Sequence, residues 1–219
     1  MQDVRYKRQE AERKKQSFVC RGEHCSPVAV STGKLIIFSG PSGCGKDTVL
    51  DELLKQDATL RLSVSFTTRH PRDDETDGLH YHFITNDEFL KKLDTGLVLE
   101  YAEYGGNFYG TPKEPVDEML ARGETVILKI EVQGAARVRK LYPNATTIFL
   151  LPPSLEILEQ RLRERDTDGE EDIQTRLAIA HEEMRRCDEY RYHVINDELP
   201  RAVNEMLDII HGNRRSQPC

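Results

Sequence analysis

The feature that most constrains this chain is an apolar run that ends in a glycine-rich segment and continues into a helical pattern. The run "KLIIFSG" ends at position 40, "GPSGCGK" spans 40–46, and "DTVLDELLKQ" has apolar residues at helical spacing. A continuous apolar run is typical of a buried parallel strand, and glycines let the following backbone wrap with its N–H groups pointing inward. Strand, loop and helix in this order predict a phosphate-binding loop rather than a chance glycine-rich turn.

Lys46 is the predicted charged group of this loop. A lysine in this position supplies a point charge for the β- and γ-phosphates of a nucleotide. The neighbouring residues are further candidates, because they form the loop whose N–H groups and helix N-terminus would face the same phosphates. They are Gly40, Pro41, Ser42, Gly43, Cys44, Gly45, Asp47 and Thr48.

Asp47 departs from the usual form of such a loop, in which a Ser or Thr hydroxyl follows the lysine and contacts Mg²⁺. A carboxylate is also a hard oxygen ligand, so Asp47 could contact magnesium directly or through water. Without a metal it would repel the phosphates by roughly 3 kcal/mol at ~5 Å and an effective dielectric of ~20. The alternative, slightly favoured, is that Asp47 faces outward and that the nucleotide and other groups hold the metal.

Strand-like and helix-like patterns alternate after the loop. This alternation predicts an α/β fold with a parallel sheet flanked by helices. "RLSVSF" is predicted to be one strand, and "DTDGEED" a polar break between two helices. Thr85 and Glu88 have capping-box spacing, and Thr111 is the predicted N-cap of a helix with Pro112 as its first residue.

Charge and composition exclude several classes of protein. The net charge of −7 disfavours non-specific nucleic-acid binding. No apolar run reaches the roughly 20 residues of a membrane span, and the polar N-terminus lacks the apolar region of a secretory signal. The five cysteines are odd in number and widely spaced, which favours reduced thiols in a cytoplasm. Residues 1–32 are polar and basic-leaning, and are predicted to be a flexible extension.

A second group of polar residues fits an anionic acceptor. In "SVSFTTRHPRDDETDGLHYHF", Arg69 and Arg72 flank a proline and can form a cationic fork for a phosphate. Tyr81 can add a hydroxyl donor. "LEYAEYGGNFYGTP" then brings Glu100 and Tyr109. Taken singly, each of these residues is better explained as a solvated loop residue.

Together, the motifs resemble the guanylate kinase family from Gly33 to about Gly212. The resemblance rests on "GPSGCGK", "SVSFTTRHPR", Glu75, "YHF", "LEYAEYGGNFYGTP", "EVQGA" at 131–135 and "VIND" at 194–197. It implies the three-layer P-loop nucleoside-monophosphate-kinase fold, with inserted GMP-binding and lid subdomains. The implied divisions are a core (33–64, 115–153, 178–212), a GMP-binding insert (65–114), a lid (154–177) and a C-terminal tail (213–219).

The implied activity is transfer of the γ-phosphoryl group of ATP, as its Mg²⁺ complex, to GMP, giving ADP and GDP. Glu100 would accept from the adjacent N1–H and N2–H₂ donors of guanine, which adenine lacks, and a mismatch at such a site can exceed ~10⁴-fold. The implied GMP-binding residues are Ser65, Arg69, Arg72, Glu75, Tyr81, Glu100, Tyr109, Thr111 and Glu131. Lys46, Arg165 and Arg176 are the implied catalytic residues, and Asn196 is an implied adenine contact.

The chain also departs from the family pattern. Lys129 replaces an acidic residue that is common two positions before Glu131, and Asp74 and Asp166 stand where glycine is frequent. One rival hypothesis is a guanylate-kinase-like interaction scaffold without catalysis, which would be expected to lack Lys46 or the acceptor arginines. Another is a kinase of this fold with a different acceptor, such as a sugar phosphate, which Glu100 opposes. Two questions stay open: whether dGMP is also an acceptor, and whether the chain is a monomer or a homodimer.

Overall fold

Strand β1 (Lys34–Ser39) is the central strand of a five-stranded parallel sheet in the computed structural model of this protein, which describes residues 33–73, 75–164 and 170–213. The strand order is β2-β7-β1-β8-β9. Ile36 of β1 pairs with Ile127 on one side and with Thr146 on the other. The predicted extension (1–32) lies outside the described residues, as does the tail after position 213. The α/β fold with a parallel core sheet is confirmed.

The remaining strands are β2 (Leu60–Leu62), β3 (Phe66–Thr67), β4 (His82–Phe83), β5 (Val98–Tyr104), β6 (Asn107–Pro112), β7 (Thr125–Lys129), β8 (Thr146–Leu151) and β9 (Tyr192–Ile195). The helices of the described residues are α1 (Lys46–Gln56), α2 (Asn86–Asp94), α3 (Lys113–Ala121), α4 (Val132–Leu141), α5 (Leu155–Arg163), α6 (Glu170–Met184) and α7 (Leu199–Ile210). A short 3₁₀ turn, Cys187–Glu189, precedes β9.

The core lies on both faces of the parallel sheet. Successive residues of β1 point to opposite faces, so Ile36 and Phe38 belong to one apolar cluster, with residues of α1 and α7. Leu35 and Ile37 belong to the other, with residues of α3 and α4. These two clusters explain why β1 is an apolar run without alternation. They also make the core three layers deep, with the carboxyl ends of the strands left free for a site.

A second, four-stranded sheet has the order β4-β3-β6-β5. It is mixed, because β3 pairs with β4 in parallel and with β6 antiparallel. Helix α2 packs on it through the fully buried Phe89, whose ring stacks on Phe108 with 5.1 Å between centroids. All four strands come from residues 66–112.

Three local predictions meet different outcomes. The capping box is confirmed, since Thr85 Oγ1 accepts from the Glu88 N–H and the Glu88 carboxylate accepts from the Thr85 N–H. The single strand "RLSVSF" is wrong: after β2 the Ser63 N–H still donates to Ile127 O, and the chain then leaves for β3 in the other sheet. The polar break "DTDGEED" is too long, because α6 includes residues from Glu170 onward.

Thr111 is not a helix N-cap, so that prediction is wrong. Helix α3 begins at Lys113 and has Pro112 as its N-cap, with no side-chain cap. Thr111 continues strand β6 and pairs with Glu100 of β5. Its hydroxyl donates to the Glu100 carboxylate, so it is not available for the helix end.

Candidate active site

The phosphate loop wraps between β1 and α1 as the glycine pattern predicts. Gly43 and Gly45 have φ angles of 86° and 93°, in the left-handed region that side chains disfavour. A Cβ on Gly45 would also lie 2.5 Å from Asn196 Nδ2, so neither backbone strain nor space permits a side chain there. Gly45 is the N-cap of α1. The first N–H groups of α1, which have no partner within the helix, are thus directed at the loop.

Lys46 folds its side chain back over the loop. Its Nζ donates to Gly40 O at 2.6 Å and to Pro41 O at 3.1 Å. Burial lowers the pKa of Lys46, but the nearby carboxylates of Glu131 and Glu183 more than offset this and raise it above its ordinary value. The group is therefore a fixed positive charge at the centre of the loop.

Glu183 is a residue of this site that sequence reasoning missed. It lies near the end of α6, where its carboxylate is close to the Glu131 carboxylate, to the Lys46 ammonium and to the Ser42 backbone. Burial and the negative charge of Glu131 raise the pKa of Glu183 above its ordinary value. In the sequence it is one of two successive glutamates in a charged helix, which is the pattern of a solvent-exposed face.

Asn196 and Arg161 hold the loop from the side of β9 and α5. Asn196 Nδ2 donates to Cys44 O at 2.8 Å, and the Asn196 side chain is buried. Arg161 donates to Asn196 O at 3.0 Å. They border a cavity of about 430 Å³, which is lined by Gly43, Gly45, Thr48, Arg161, Glu164, Asn196, Asp197 and Leu199. The predicted adenine contact thus lies next to the loop and also supports it.

Arg176 is the second predicted catalytic residue that the structure describes. It lies on α6, and its Nη2 donates to Ser42 Oγ at 2.9 Å. Helix α6 therefore brings a guanidinium to the same loop that holds Lys46. Arg165, the third predicted catalytic residue, lies outside the described residues, as do Asp74 and Asp166.

A carboxylate holds the Arg69 guanidinium of the predicted cationic fork, whereas Arg72 contacts it only through its backbone. Arg69 Nη2 donates to both oxygens of Glu75, at 2.7 and 2.9 Å, and the same carboxylate accepts from the Arg72 N–H at 2.8 Å. The Arg69 guanidinium lies 5.9 Å from the Tyr81 ring centroid, and Tyr81 lies edge-on to Tyr109 at 6.0 Å. Burial raises the pKa of Glu75, but its hydrogen bonds to Arg69 and Arg72 lower it overall. The four predicted acceptor residues Arg69, Glu75, Tyr81 and Tyr109 therefore form one cluster.

Glu100 is a buried carboxylate, with 5 % of its surface exposed. Its Oε1 accepts from Thr111 Oγ1 at 2.6 Å, across the β5–β6 pair. Burial raises the pKa of Glu100 to about 7, although the bond from Thr111 opposes this shift. Ser65 is half-buried between β2 and β3, and its backbone O accepts from the His82 N–H.

Gly134 makes room for Glu100. A Cβ on Gly134, in the first turns of α4, would lie 1.9 Å from Glu100 Oε2. Glu131, the N-cap of the same helix, is a predicted GMP contact and also interacts with Lys46 and Glu183. The motif "EVQGA" thus contributes one carboxylate to the site and clears the space for another.

Asp47 and Lys129, the two residues that depart most clearly from the family pattern, contact each other. Lys129 Nζ donates to Asp47 Oδ1 at 2.5 Å. The Asp47 side chain is 67 % exposed, whereas that of Lys129 is 20 % exposed. The Asp47 side chain is therefore largely exposed, and its carboxylate also binds the Lys129 ammonium.

Comparisons with known proteins point to one family. The model of the guanylate kinase family matches residues 32–213. A guanylate kinase from Carboxydothermus hydrogenoformans is 49 % identical over 182 residues, which are 83 % of this chain and 89 % of that protein. One from Gloeobacter violaceus is 49 % identical over 194 residues, covering 89 % and 95 % of the two chains.

Among solved structures, the guanylate kinase from Anaplasma phagocytophilum superimposes with a TM-score of 0.71. The two chains are 31 % identical, and the match covers 84 % of this chain and 87 % of that one. The sequence relatives and this structure agree on one family, and the family model extends over the phosphate loop and the second sheet. This chain belongs to the guanylate kinase family.

Proposed function

We propose that this chain transfers the γ-phosphoryl group of ATP to GMP and releases ADP and GDP. The observation that carries the proposal is the buried Glu100–Thr111 pair in a protein that also has an intact phosphate loop. Guanine presents N1–H and N2–H₂ side by side, and an ionised carboxylate can accept from both. AMP has no such donor pair and would leave the buried carboxylate unpaired, at a large cost in binding free energy.

The donor nucleotide is proposed to bind at the phosphate loop. The backbone N–H groups of residues 40–48 other than Pro41, together with the Lys46 ammonium, would hold its phosphates, and the cavity beside Asn196 would take the rest of the molecule. Mg²⁺ is proposed to enter bound to ATP, where it would neutralise charge on the β- and γ-phosphates. Asp47 as a magnesium ligand stays a prediction, since a metal there would compete with Lys129 for the same carboxylate.

The acceptor phosphate is proposed to bind at the cluster of Arg69, Tyr81 and Tyr109. Glu75 fixes the Arg69 guanidinium, so this arm of the fork is already oriented when GMP arrives. Ser65 and Thr111 would contact the base edge, and Arg72 and Glu131 would complete the pocket. A phosphate monoester is largely ionised near neutral pH, so the acceptor oxygen needs no general base.

Charge neutralisation and exclusion of water are the remaining requirements of the reaction. Arg176 supports this part of the proposal, because it already reaches the phosphate loop from α6. Arg165 is proposed to join it from the segment between α5 and α6. The division into core (33–64, 115–153, 178–212), GMP-binding insert (65–114) and lid (154–177) is proposed to close around both nucleotides.

The proposal places the enzyme in the cytoplasm, with small-molecule partners. The net charge is −7, which disfavours nucleic acid. Among the residues that the structure describes, no helix has both the length and the apolar character needed to cross a bilayer. ATP and GMP are the proposed substrates, and dGMP is a further candidate acceptor.

A coupled assay of ADP formation tests the function. Purified protein with Mg²⁺ and ATP is offered GMP, dGMP, AMP, CMP or UMP. We expect turnover with GMP, and kcat/KM for AMP lower by roughly 10⁴-fold. If GMP gives no ADP above the acceptor-free rate, the proposed function is wrong. Preference for a sugar phosphate or for another nucleotide would reassign the acceptor.

A further inference from the structure

Lys129 ends strand β7 at the carboxyl edge of the parallel sheet. It pairs in register with Phe38 of β1, just before the phosphate loop. Ligands of open α/β sheets bind at this edge. In the sequence, Lys129 is identified only as the replacement of an acidic residue that is common in the family. Its side chain is only 20 % exposed.

The ammonium of Lys129 lies between the two halves of the proposed site. On one side it donates to Asp47, in the first turn of α1. On the other it lies 5.4 Å from the ring centroid of Tyr81, which belongs to the acceptor cluster. Lys46 is close enough for its charge to act on Lys129. The Lys129 ammonium therefore lies between the start of α1 and the acceptor cluster.

The Lys129 ammonium also has N–H donors that Asp47 does not use. It carries three N–H donors, and within the described part of the chain Asp47 Oδ1 is the one acceptor that it reaches. Burial lowers the pKa of Lys129, but Tyr81 and Asp47 more than offset this and raise it above its ordinary value. Lys129 is therefore a charged, oriented donor with two remaining N–H groups.

We propose that Lys129 is a further phosphate-binding residue of the reaction, and that Asp47 is the residue that positions it. The ammonium would contact an oxygen of the acceptor phosphate or of the transferring group. The Asp47 carboxylate alone would repel phosphates. By holding the Lys129 ammonium, it would instead position a cation that attracts them. The inference rests on the proposed function for the identity of the two nucleotides.

A double-mutant cycle separates this role from simple neutralisation of Asp47. The variants are Lys129→Met, Asp47→Asn and the double variant, each assayed for kcat and for KM of GMP and MgATP. Lys129→Met should lower kcat/KM for GMP about 100-fold, because it removes a phosphate donor and leaves Asp47 uncompensated. Asp47→Asn should cost only a few-fold, since the ammonium is retained. The double variant should recover part of the loss but stay at least about tenfold below wild type.

Two outcomes would overturn the inference. If the double variant regains wild-type activity, Lys129 serves only to neutralise Asp47. If Lys129→Met is itself as active as wild type, the ammonium touches no phosphate that matters. Lys129→Arg, which keeps a cation, should retain more activity than Lys129→Met. Lys55→Met is the matched control, because Lys55 lies on the same helix as Asp47 with its side chain 73 % exposed, and its kinetics should be unchanged.

Calorimetry gives a readout that does not depend on turnover. Lys129→Met should weaken binding of GMP or ATP about tenfold or more while binding of guanosine or adenosine, which lack phosphates, changes little. Equal weakening of nucleotide and nucleoside would mean a structural role, and would overturn the proposal. Melting temperatures identify a variant that fails to fold, in which case Lys129→Gln replaces it. A wild-type protein that binds both nucleotides without GMP turnover would contradict the proposed function and leave this test intact.

Discussion

The phosphate loop and the second sheet, β4-β3-β6-β5, are built in different ways. This sheet carries the proposed acceptor residues and is called the acceptor sheet below. The loop is a run of successive residues whose shape is set by the backbone, with Gly43 and Gly45 in left-handed conformations and the Lys46 ammonium folded over it. The acceptor sheet collects side chains from β3 to β6 that hold one another, as Glu75 holds Arg69. A backbone site tolerates most side-chain changes and binds any polyphosphate. A site of paired side chains depends on each pair, and this is where discrimination between nucleotides can arise.

The largest expected effect is the loss of activity on replacing Lys46, whose ammonium is the proposed charged group of the loop. Lys46→Met should lower kcat by about three orders of magnitude, because the transferring phosphoryl group loses its main fixed charge. Steady-state ADP formation at saturating GMP and MgATP measures this. Lys55→Met, further along α1 and exposed, is the control and should match wild type. Near-normal kcat in Lys46→Met would remove the lysine from the chemistry.

Glu100→Gln should abolish the selectivity of the acceptor sheet while leaving the loop intact. The amide would turn an N–H₂ donor toward the guanine donors, so we expect kcat/KM for GMP to fall by roughly two to three orders of magnitude. KM for MgATP should stay within about twofold, since the loop is unchanged. The control is Glu103→Gln, an exposed residue of the same strand. The assignment of Glu100 fails if the ratio of GMP to AMP turnover is unaffected.

Glu100 should also make stability depend on pH. Its pKa is about 7 in the folded protein, above the ordinary value of a glutamate, so the folded state binds more protons between these values. The free energy of unfolding should therefore fall as pH rises from about 4.5 to 7, by up to about 3 kcal/mol from this residue. Glu100→Gln should flatten that slope. Glu183, whose pKa is also raised, would keep the slope from vanishing.

Urea denaturation followed by circular dichroism at pH 5, 6, 7 and 8 measures this slope. Glu103→Gln again serves as the control, because an exposed carboxylate should leave the wild-type slope in place. Parallel curves for wild type and Glu100→Gln would mean that Glu100 titrates normally in the folded protein. Residues 40–46 of the loop contain no carboxylate, so the difference between wild type and Glu100→Gln reports on the acceptor sheet.

The sequence predicts the two regions unequally, for a physical reason. The strand, loop and helix around Lys46 are specified by neighbours in the chain, so a local pattern is sufficient to predict them. Thr111 shows the opposite case. Its neighbours Pro112 and Glu114 match a helix start, but the partner that decides its role is Glu100, eleven residues away on another strand. The contact of Thr111 across the strands prevails over its local match to a helix N-cap. Such a contact cannot be predicted from the neighbouring residues in the sequence.

The same limit applies to the pairs that hold the site. Asp47 and Lys129 were each noticed as departures, but they are 82 residues apart, and only the sheet register brings them together. Gly134 lies within a family motif, yet its function as space for Glu100 depends on the packing of α4 against β5. Glu183 has no distinguishing signal, since its burial is a property of the fold rather than of its helix.

Glu75→Gln is the smallest change that tests whether paired side chains control the acceptor sheet. In this proposal Glu75 acts mainly through Arg69, which it binds with both oxygens at 2.7 and 2.9 Å. An amide can accept at one oxygen without charge, so the guanidinium should lose part of its orientation. We expect KM for GMP to rise about tenfold, consistent with the loss of one charge-assisted hydrogen bond. KM for MgATP should not change, and kcat should change little once GMP is saturating.

This split between the two KM values distinguishes positioning from general destabilisation. A variant that loosened the whole fold would raise both KM values and lower the melting temperature, whereas loss of orientation at Arg69 should affect GMP alone. Arg69→Lys should raise KM for GMP at least as much, because an ammonium cannot reproduce the planar fork. If Glu75→Gln is silent in all three parameters, Arg69 is oriented by its contacts with Tyr81 and Phe83 instead. The acceptor sheet would then depend less on ion pairing than its hydrogen bonds indicate, and more on aromatic packing.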